Sequence, residues 1–513
     1  MERTGLSVTP SPIAGSNLPN RRDFRGRKVS ASRWSIIVVM GLGGCAAHWQ
    51  APELNPDRYV APAVDRSWVP PSPPPSFAPA ATTAAELPAP PAPRGEHGAP
   101  YSLAELIDLA LTHNPATRAA WEQARASAAA WAVSRGEYYP KLSTETDFEY
   151  SRVLLQIPGS NGRVKTAQIT PTLELTYTLL DFGRRGADSA QALARLAVSN
   201  FTFNRRIQEV VFDTQRFFYG LAAARAAQSV AQQNLELAHT DDDAVAKRVS
   251  LGLATQPELL LSRQRVAQAE YDVANSELFV QEAQTNLALA LGIAADDRLD
   301  VAGLERQTVP ATLAGKLERL IHTAIASRPD LAAGVATLHA DEAQLDRARA
   351  AFLPEVDVSG SYGEQNWGYT FNNAPQIDAN MPQYTALLSL KWDIFTGFER
   401  INAVREAQAR RRVAAANLQA LELAAIADVW RAYYEFETSR KRYEYAQALL
   451  SASQESYEAQ LDTYRQGLST IIELLTAQRD LADARYTLIQ STADLLTASA
   501  ATAFAVGAVP PQH

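Results

Sequence analysis

The chain has 513 residues, 20% of them charged and 46% hydrophobic, with a formal net charge of -8 and a single cysteine. One cysteine excludes an intramolecular disulfide, a cysteine zinc site and an iron–sulfur cluster, and the acidic balance lacks the basic surplus of a nucleic-acid binder. No run approaches the ~18–20 apolar residues of a spanning helix, and 29 prolines exclude one continuous helix.

Arg21, Arg22, Arg25, Arg27, Lys28 and Arg33 precede a short apolar run from Trp34 to Gly41, followed by Leu42-Gly43-Gly44-Cys45. A basic region, an apolar core and small residues make an export signal. Leu-Gly-Gly-Cys resembles the bacterial lipobox, in which the cysteine thiol accepts a lipid and becomes residue one. Ala46 follows in place of aspartate, as in lipoproteins sorted to the outer membrane. Residues 1–44 are therefore expected to be a lipoprotein signal peptide, with Cys45 the lipidation site; a chance cysteine in a signal cut nearby is the alternative. The basic leader is long, which points to a translation start downstream of Met1. Removing 1–44 takes away seven bases and two acids and leaves 41 bases against 54 acids, a net charge of -13. That charge solubilises and carries no nucleic-acid logic.

Residues 51–100 hold 14 of the 29 prolines, so 45–100 reads as an extended, lipidated tether. From 101 to 507 only ten prolines remain, and they are expected at element boundaries. Their spacing exposes a duplication. Pro115 and Pro140 recur at an offset of 214 as Pro329 and Pro354. At 215, Tyr177 matches Trp392, Tyr219 matches Tyr434, Gly252 matches Gly467, Glu258 matches Glu473, Tyr271 matches Tyr486 and Gly292 matches Gly507. A period this long is one duplicated unit and not a solenoid repeat. The units are placed at 101–295 and 315–507.

Unit one opens with Ser102 and Glu105 at capping-box spacing. Asn114-Pro115 then starts a helix expected over 115–137. Leu142, Thr144, Thr146, Phe148 and Tyr150 alternate with Ser143, Glu145, Asp147, Glu149 and Ser151, a strand pattern. After a loop at 158–162, Ile169, Leu173, Leu175, Tyr177 and Leu179 alternate with threonines and Glu174. Unit two repeats this over 356–362 and 384–394. Strands of about 10–14 residues with aromatic ends fit tilted transmembrane strands. A soluble sheet with one wet face shows the same alternation. Long helices follow at 184–250 and 400–466, with small and apolar residues at coiled-coil spacing, as in Leu235, Ala238, Val245 and Val249. Each turns at Gly252 or Gly467 into a shorter return helix, 256–291 or 471–506.

Four strands cannot close a barrel, and unpaired amides facing lipid cost several kcal/mol each. If the strands span a membrane, several chains must share one barrel. The fold class is therefore mostly α with β, internally duplicated.

The residues resemble the TolC-type outer-membrane efflux family, in its lipoprotein branch. The resemblance covers 101–507. It rests on the duplicated plan, Asn114-Pro115, Pro140 and Pro354, Leu-Asp-Phe-Gly at 180–183, and the turns 251–255 and 465–470. It implies a homotrimer whose 12-stranded outer-membrane β-barrel continues into a periplasmic α-helical tunnel. It also implies a passive exit duct for small molecules, with a periplasmic adaptor (membrane fusion) protein and an inner-membrane RND, ABC or MFS pump as partners. Two other readings stay open: a lipid-anchored periplasmic coiled-coil scaffold or adhesin without a channel, and a type I protein secretion duct.

Gly252-Leu253 and Gly467-Leu468 should then be the tunnel tips and adaptor contacts, although each leucine could simply staple its turn. The resemblance places Glu258, Glu473 and Tyr464 at a constricted periplasmic entrance. Ser469 replaces an arginine of that family's latch, and Thr476 stands where some members have an acid. The simpler reading of Thr255-x-x-Glu258 and Thr470-x-x-Glu473 is a capping box. Glu145, Asp147, Glu149 and Glu174 are candidates for an acidic barrel lumen or a merely solvated face. Asp241-Asp242-Asp243 reads as a solvated charge run. The seven histidines never fall at ligand spacing, and no nucleophile–base, phosphate-loop or HExxH motif occurs. No enzyme activity, metal or cofactor is expected beyond the covalent lipid on Cys45.

Overall fold

A computed structural model describes residues 100–508, except 158–159, 296–298, 314 and 373. The expected leader, Cys45 and the tether as far as residue 99 lie outside the described residues. The element order is α1 (Leu103–His113), α2 (Pro115–Gly136), β1 (Lys141–Ile157), β2 (Ser160–Leu180), α3 (Arg184–Ser250) and α4 (Gln256–Leu291). It then repeats as α5 (Leu317–Ser327), α6 (Pro329–Ala350), β3 (Glu355–Phe371), β4 (Ile377–Lys391), α7 (Glu399–Arg465) and α8 (Ile471–Val506). Paired helices have equal lengths: 11, 22, 67 and 36 residues. At ~1.5 Å per residue the 67-residue helices are rods of ~100 Å.

The four strands form one antiparallel sheet in the order β1-β2-β3-β4. Register sorts its faces. Leu142 lies opposite Leu175, and Phe148 opposite Ile169. Leu173 meets Tyr362, which meets Tyr384. These side chains make one apolar face. The other face carries Glu145 opposite Thr172 and Asp147 opposite Thr170. The apolar band runs from Leu142 to Tyr150 on β1 but from Tyr384 to Leu390 on β4, whose Leu388 pairs with Val358 and so lies below Leu142 in register. It steps diagonally across the sheet, as strands tilted in a barrel wall require.

The strands are longer than expected, at 17, 21, 17 and 15 residues. Past Tyr150 the alternation inverts while backbone pairing continues, so the amphipathic pattern underestimates them. Gly162, expected in a loop, belongs to β2. Pro171 and Pro382 fall inside strands and not at boundaries. Proline removes a ladder donor. Pro171 sits where the β2–β3 pairing lapses between Ile169 and Thr172 without a change of register, and Pro382 sits on the edge strand β4.

The helices pack in a repeating plan. α3 contacts α2 and α4 and also α6 and α8, whereas α7 packs on α6 and α8 with α5 against it. Each return helix ends in a left-handed glycine and abuts the start of an upper helix. The Asn114 amide donates to the Ala290 carbonyl (2.7 Å), and the Arg328 guanidinium makes the equivalent bond to Ala505 (3.4 Å). The main core joins α1, α3, α4 and α8 through Leu106, Phe218, Leu221, Leu287, Leu291 and Leu496.

The expectation that no segment is apolar enough to span needs one amendment. Among the described helices, α7 alone has an 18-residue window of mean hydropathy 1.2 with few charges. Alanine supplies much of it, as at 414–416 and 424–425, and small side chains suit close helix packing more than lipid.

Candidate functional site

The ends of α3 and α7 lie together. Leu251 closes α3, Gly252 turns left-handed at φ +73°, and Leu253 donates back to the Arg248 carbonyl (2.8 Å). At α7, Gly467 stands at φ +75° and Leu468 donates to Thr463 (2.9 Å). Both are Schellman turns, and the left-handed residue disfavours any side chain. Neither leucine staples its turn. Leu253 is 66% exposed and Leu468 76%.

The next helices start differently. At α8 a full capping box forms: the Thr470 amide donates to Glu473 Oε2 (3.0 Å) and the Glu473 amide to Thr470 Oγ1 (3.4 Å). Gln460 also donates to that carboxylate (3.3 Å). At α4, Pro257 occupies the first turn and no backbone cap forms. Thr255 Oγ1 instead donates to Glu258 Oε1 (3.1 Å).

Tyr464 is buried among Val245, Leu259, Ile471 and Leu474, which ties the two tips into one cluster. Arg248 lies 4.7 Å over its ring and donates to its carbonyl (3.3 Å). Burial pushes the Tyr464 hydroxyl above the usual phenol range, Arg248 opposes this, and Glu258 and Asp241 add to it. Glu258 therefore sits within electrostatic reach of Tyr464. Yet the hydroxyl is buried with no hydrogen-bond partner among the described residues.

Asp241 and Asp242 correct the expectation of a solvated run. Ser262, itself buried, donates to Asp242 (2.5 Å). Asp241 Oδ2 is buried and unpaired, and burial raises its pKa to about 6 against the pull of Arg465. Sequence reasoning also missed Arg248. The signal for Asp241 was present: it falls three residues after Ala238 and four before Val245, both buried, on the packing stripe of α3.

The candidate lumen acids share one sheet face. Ser143 is opposite Glu174, Glu145 opposite Thr172, Asp147 opposite Thr170 and Glu149 opposite Gln168. This face is polar where the reverse face is apolar.

The profile of the family described as "Outer membrane efflux protein" matches residues 106–293 and again 320–508. Protein CyaE of Bordetella pertussis is 29% identical over 447 residues, covering 85% of this chain and 89% of that protein. The pyoverdine export outer membrane protein OpmQ of Pseudomonas putida is 26% identical over 390 residues, covering 75% and 81%. The CmeC outer membrane channel of Campylobacter jejuni superposes with a TM-score of 0.68 at 17% identity, covering 79% of this chain and 85% of that one.

Proposed function

The chain belongs to the outer membrane efflux protein family, and from that premise we propose a passive exit duct of a tripartite efflux system in the outer membrane of a Gram-negative cell. One observation carries the reading. The long helix of the first repeat, α3, has helical neighbours on both flanks, but its equivalent α7 has them on one. The outer edges of β1 and β4 are likewise unpaired among the described residues. A second copy supplies the missing flank with its own α2 and α4 and the missing strand with its β1, and a third copy closes the ring. Three four-stranded sheets make a 12-stranded barrel, apolar outside and polar inside.

In this reading Glu145, Asp147, Glu149 and Glu174 line the lumen. The tips at Gly252, Leu253, Gly467 and Leu468 receive a periplasmic adaptor, their exposed leucines serving as apolar contacts. Glu258, Glu473 and Tyr464 lie at the entrance, and Cys45 carries a lipid anchor. An RND, ABC or MFS pump supplies the energy and chooses the small-molecule cargo.

The test is made on full-length protein in non-ionic detergent. Light scattering should give three copies, and insertion into a planar bilayer should give discrete conductance steps. A monomer without conductance overturns the reading. Mass spectrometry of the mature amino terminus tests the lipid on Cys45.

A further inference from the structure

The sheet's apolar face ends in an unneutralised positive cluster. On β1 this face presents Leu142, Phe148 and Tyr150, all exposed, and the next side chain on it is Arg152. On β2 it presents Leu175, Leu173 and Ile169, and beyond Ala167 come Lys165 and Arg163. Arg152 stands directly opposite Lys165, and Arg163 opposite Leu154. Like charges directly opposite in an antiparallel pair repel. Among the described residues none of the three side chains has an ion pair or hydrogen bond. The acids of the same face above the band, Glu364 and Asp378, lie on β3 and β4, and Asp378 accepts from Gln376 (2.6 Å).

Height matters as much as charge. From Leu142 to Tyr150 the band spans roughly 26 Å of strand at ~3.3 Å per residue. Tilted, that nearly fills the ~25 Å apolar band of an outer-membrane barrel. Arg152 follows Tyr150 by one alternation, so its long side chain reaches the headgroup level. The helices join the sheet at Lys141 and Leu180, so the cluster lies at the opposite end, toward the hairpins. If the helices are periplasmic, that end faces the outer leaflet.

We propose that Arg152, Lys165 and Arg163 bind the phosphate groups of the phosphorylated glycolipid of the outer leaflet, of the lipopolysaccharide type. A bound phosphate turns the Arg152–Lys165 repulsion into two charge-assisted bonds, and Arg can grip it bidentately. The proposal rests on the outer-membrane reading above.

The experiment uses the full-length trimer in non-ionic detergent, titrated with bisphosphorylated lipid A and followed by native mass spectrometry. The R152Q/R163Q/K165Q variant should bind at least tenfold more weakly. Dephosphorylated lipid A and phosphatidylglycerol should bind wild type no better than the variant does. In detergent alone the variant should melt no lower than wild type, because it loses only a repulsion. Equal lipid A binding by variant and wild type overturns the proposal, as does equally tight phosphatidylglycerol binding. A loss of trimer stability reproduced by Asp378→Asn also overturns it, since the cations would then be paired across protomers. Failure of the outer-membrane reading shows separately, as protein that neither trimerises nor conducts.

Discussion

Arg248 stacks over the ring of Tyr464 at 4.7 Å and donates to its backbone carbonyl, so a cation from the first repeat clamps the last turn of the second repeat's long helix. The clamp acts through the ring and the backbone, not through the Tyr464 hydroxyl, which has no partner among the described residues. Tyr464→Phe should therefore leave single-channel conductance within about twofold of wild type and cost less than ~1 kcal/mol, since it removes an unpaired polar atom. Arg248→Ala should cost ~1–2 kcal/mol locally and raise conductance. Hydrogen exchange at the tips and bilayer recordings read both. A large conductance gain in Tyr464→Phe would mean that the hydroxyl is bonded across protomers.

Asp241 makes the tip sensitive to pH. Burial raises its pKa to about 6, above its unfolded value near 4. The folded state then binds the proton more tightly, so stability is greatest below the unfolded pKa and is lost as pH rises through about 6. Arg465 opposes the shift, and Tyr457 and Tyr464 are the phenols that feel the charge. Protection factors of amides around Val245 and Leu474, corrected for the intrinsic pH dependence of exchange, should be lower at pH 8 than at pH 5. Asp241→Asn should flatten that difference and protect the tip at pH 8. A variant that keeps the wild-type slope would assign it to another group.

The duplication is legible in the chain because turns need glycine and helix starts tolerate proline, so Gly252, Gly467, Pro115 and Pro329 mark equivalent ends. The paired faces are legible as far as Tyr150, where lipid-type alternation holds. Beyond it, Arg152 and Val153 swap faces, and only backbone pairing shows that the strand goes on. Asp241 is hidden for another reason: a run of three aspartates reads as wet, and only helical phase puts its first member on the packed side of α3, within reach of Tyr457, Tyr464 and Arg465 on α7. Arg328 is hidden because it stands where the first repeat has Asn114, a residue with ordinary capping chemistry, and is a long cation that reaches the equivalent carbonyl, Ala505 in place of Ala290.

Arg328 is buried and donates to Asp330 (2.6 Å) and Asp428 (3.1 Å) besides the Ala505 carbonyl. Burial disfavours the Asp330 charge, but bonds from Arg328 and the nearby Arg205 hold its pKa below the usual carboxylate range. Removing the cation leaves the part-buried Asp330 and Asp428 carboxylates and the Ala505 carbonyl without their donor, so Arg328→Ala should cost ~1–3 kcal/mol. Arg328→Lys should recover only part of that, because an ammonium cannot fork between two carboxylates and a carbonyl. Urea unfolding followed by α-helical signal measures both. Equal stability of the lysine variant would show that charge alone suffices.

Glu473 caps α8 and is a candidate entrance acid, and substitution separates the two roles. Glutamine can still accept from the Thr470 amide, so Glu473→Gln should change stability by less than ~0.5 kcal/mol, whereas Thr470→Ala loses the cap and should cost ~1 kcal/mol. If three Glu473 side chains ring the entrance, their charge draws cations. Glu473→Gln should then lower cation preference in reversal-potential measurements while Thr470→Ala leaves it unchanged. A combined Glu145→Gln, Asp147→Asn and Glu149→Gln variant is the control for charge farther along the pore. If that variant shifts the reversal potential and Glu473→Gln does not, selectivity is set on the sheet face and Glu473 is a cap alone.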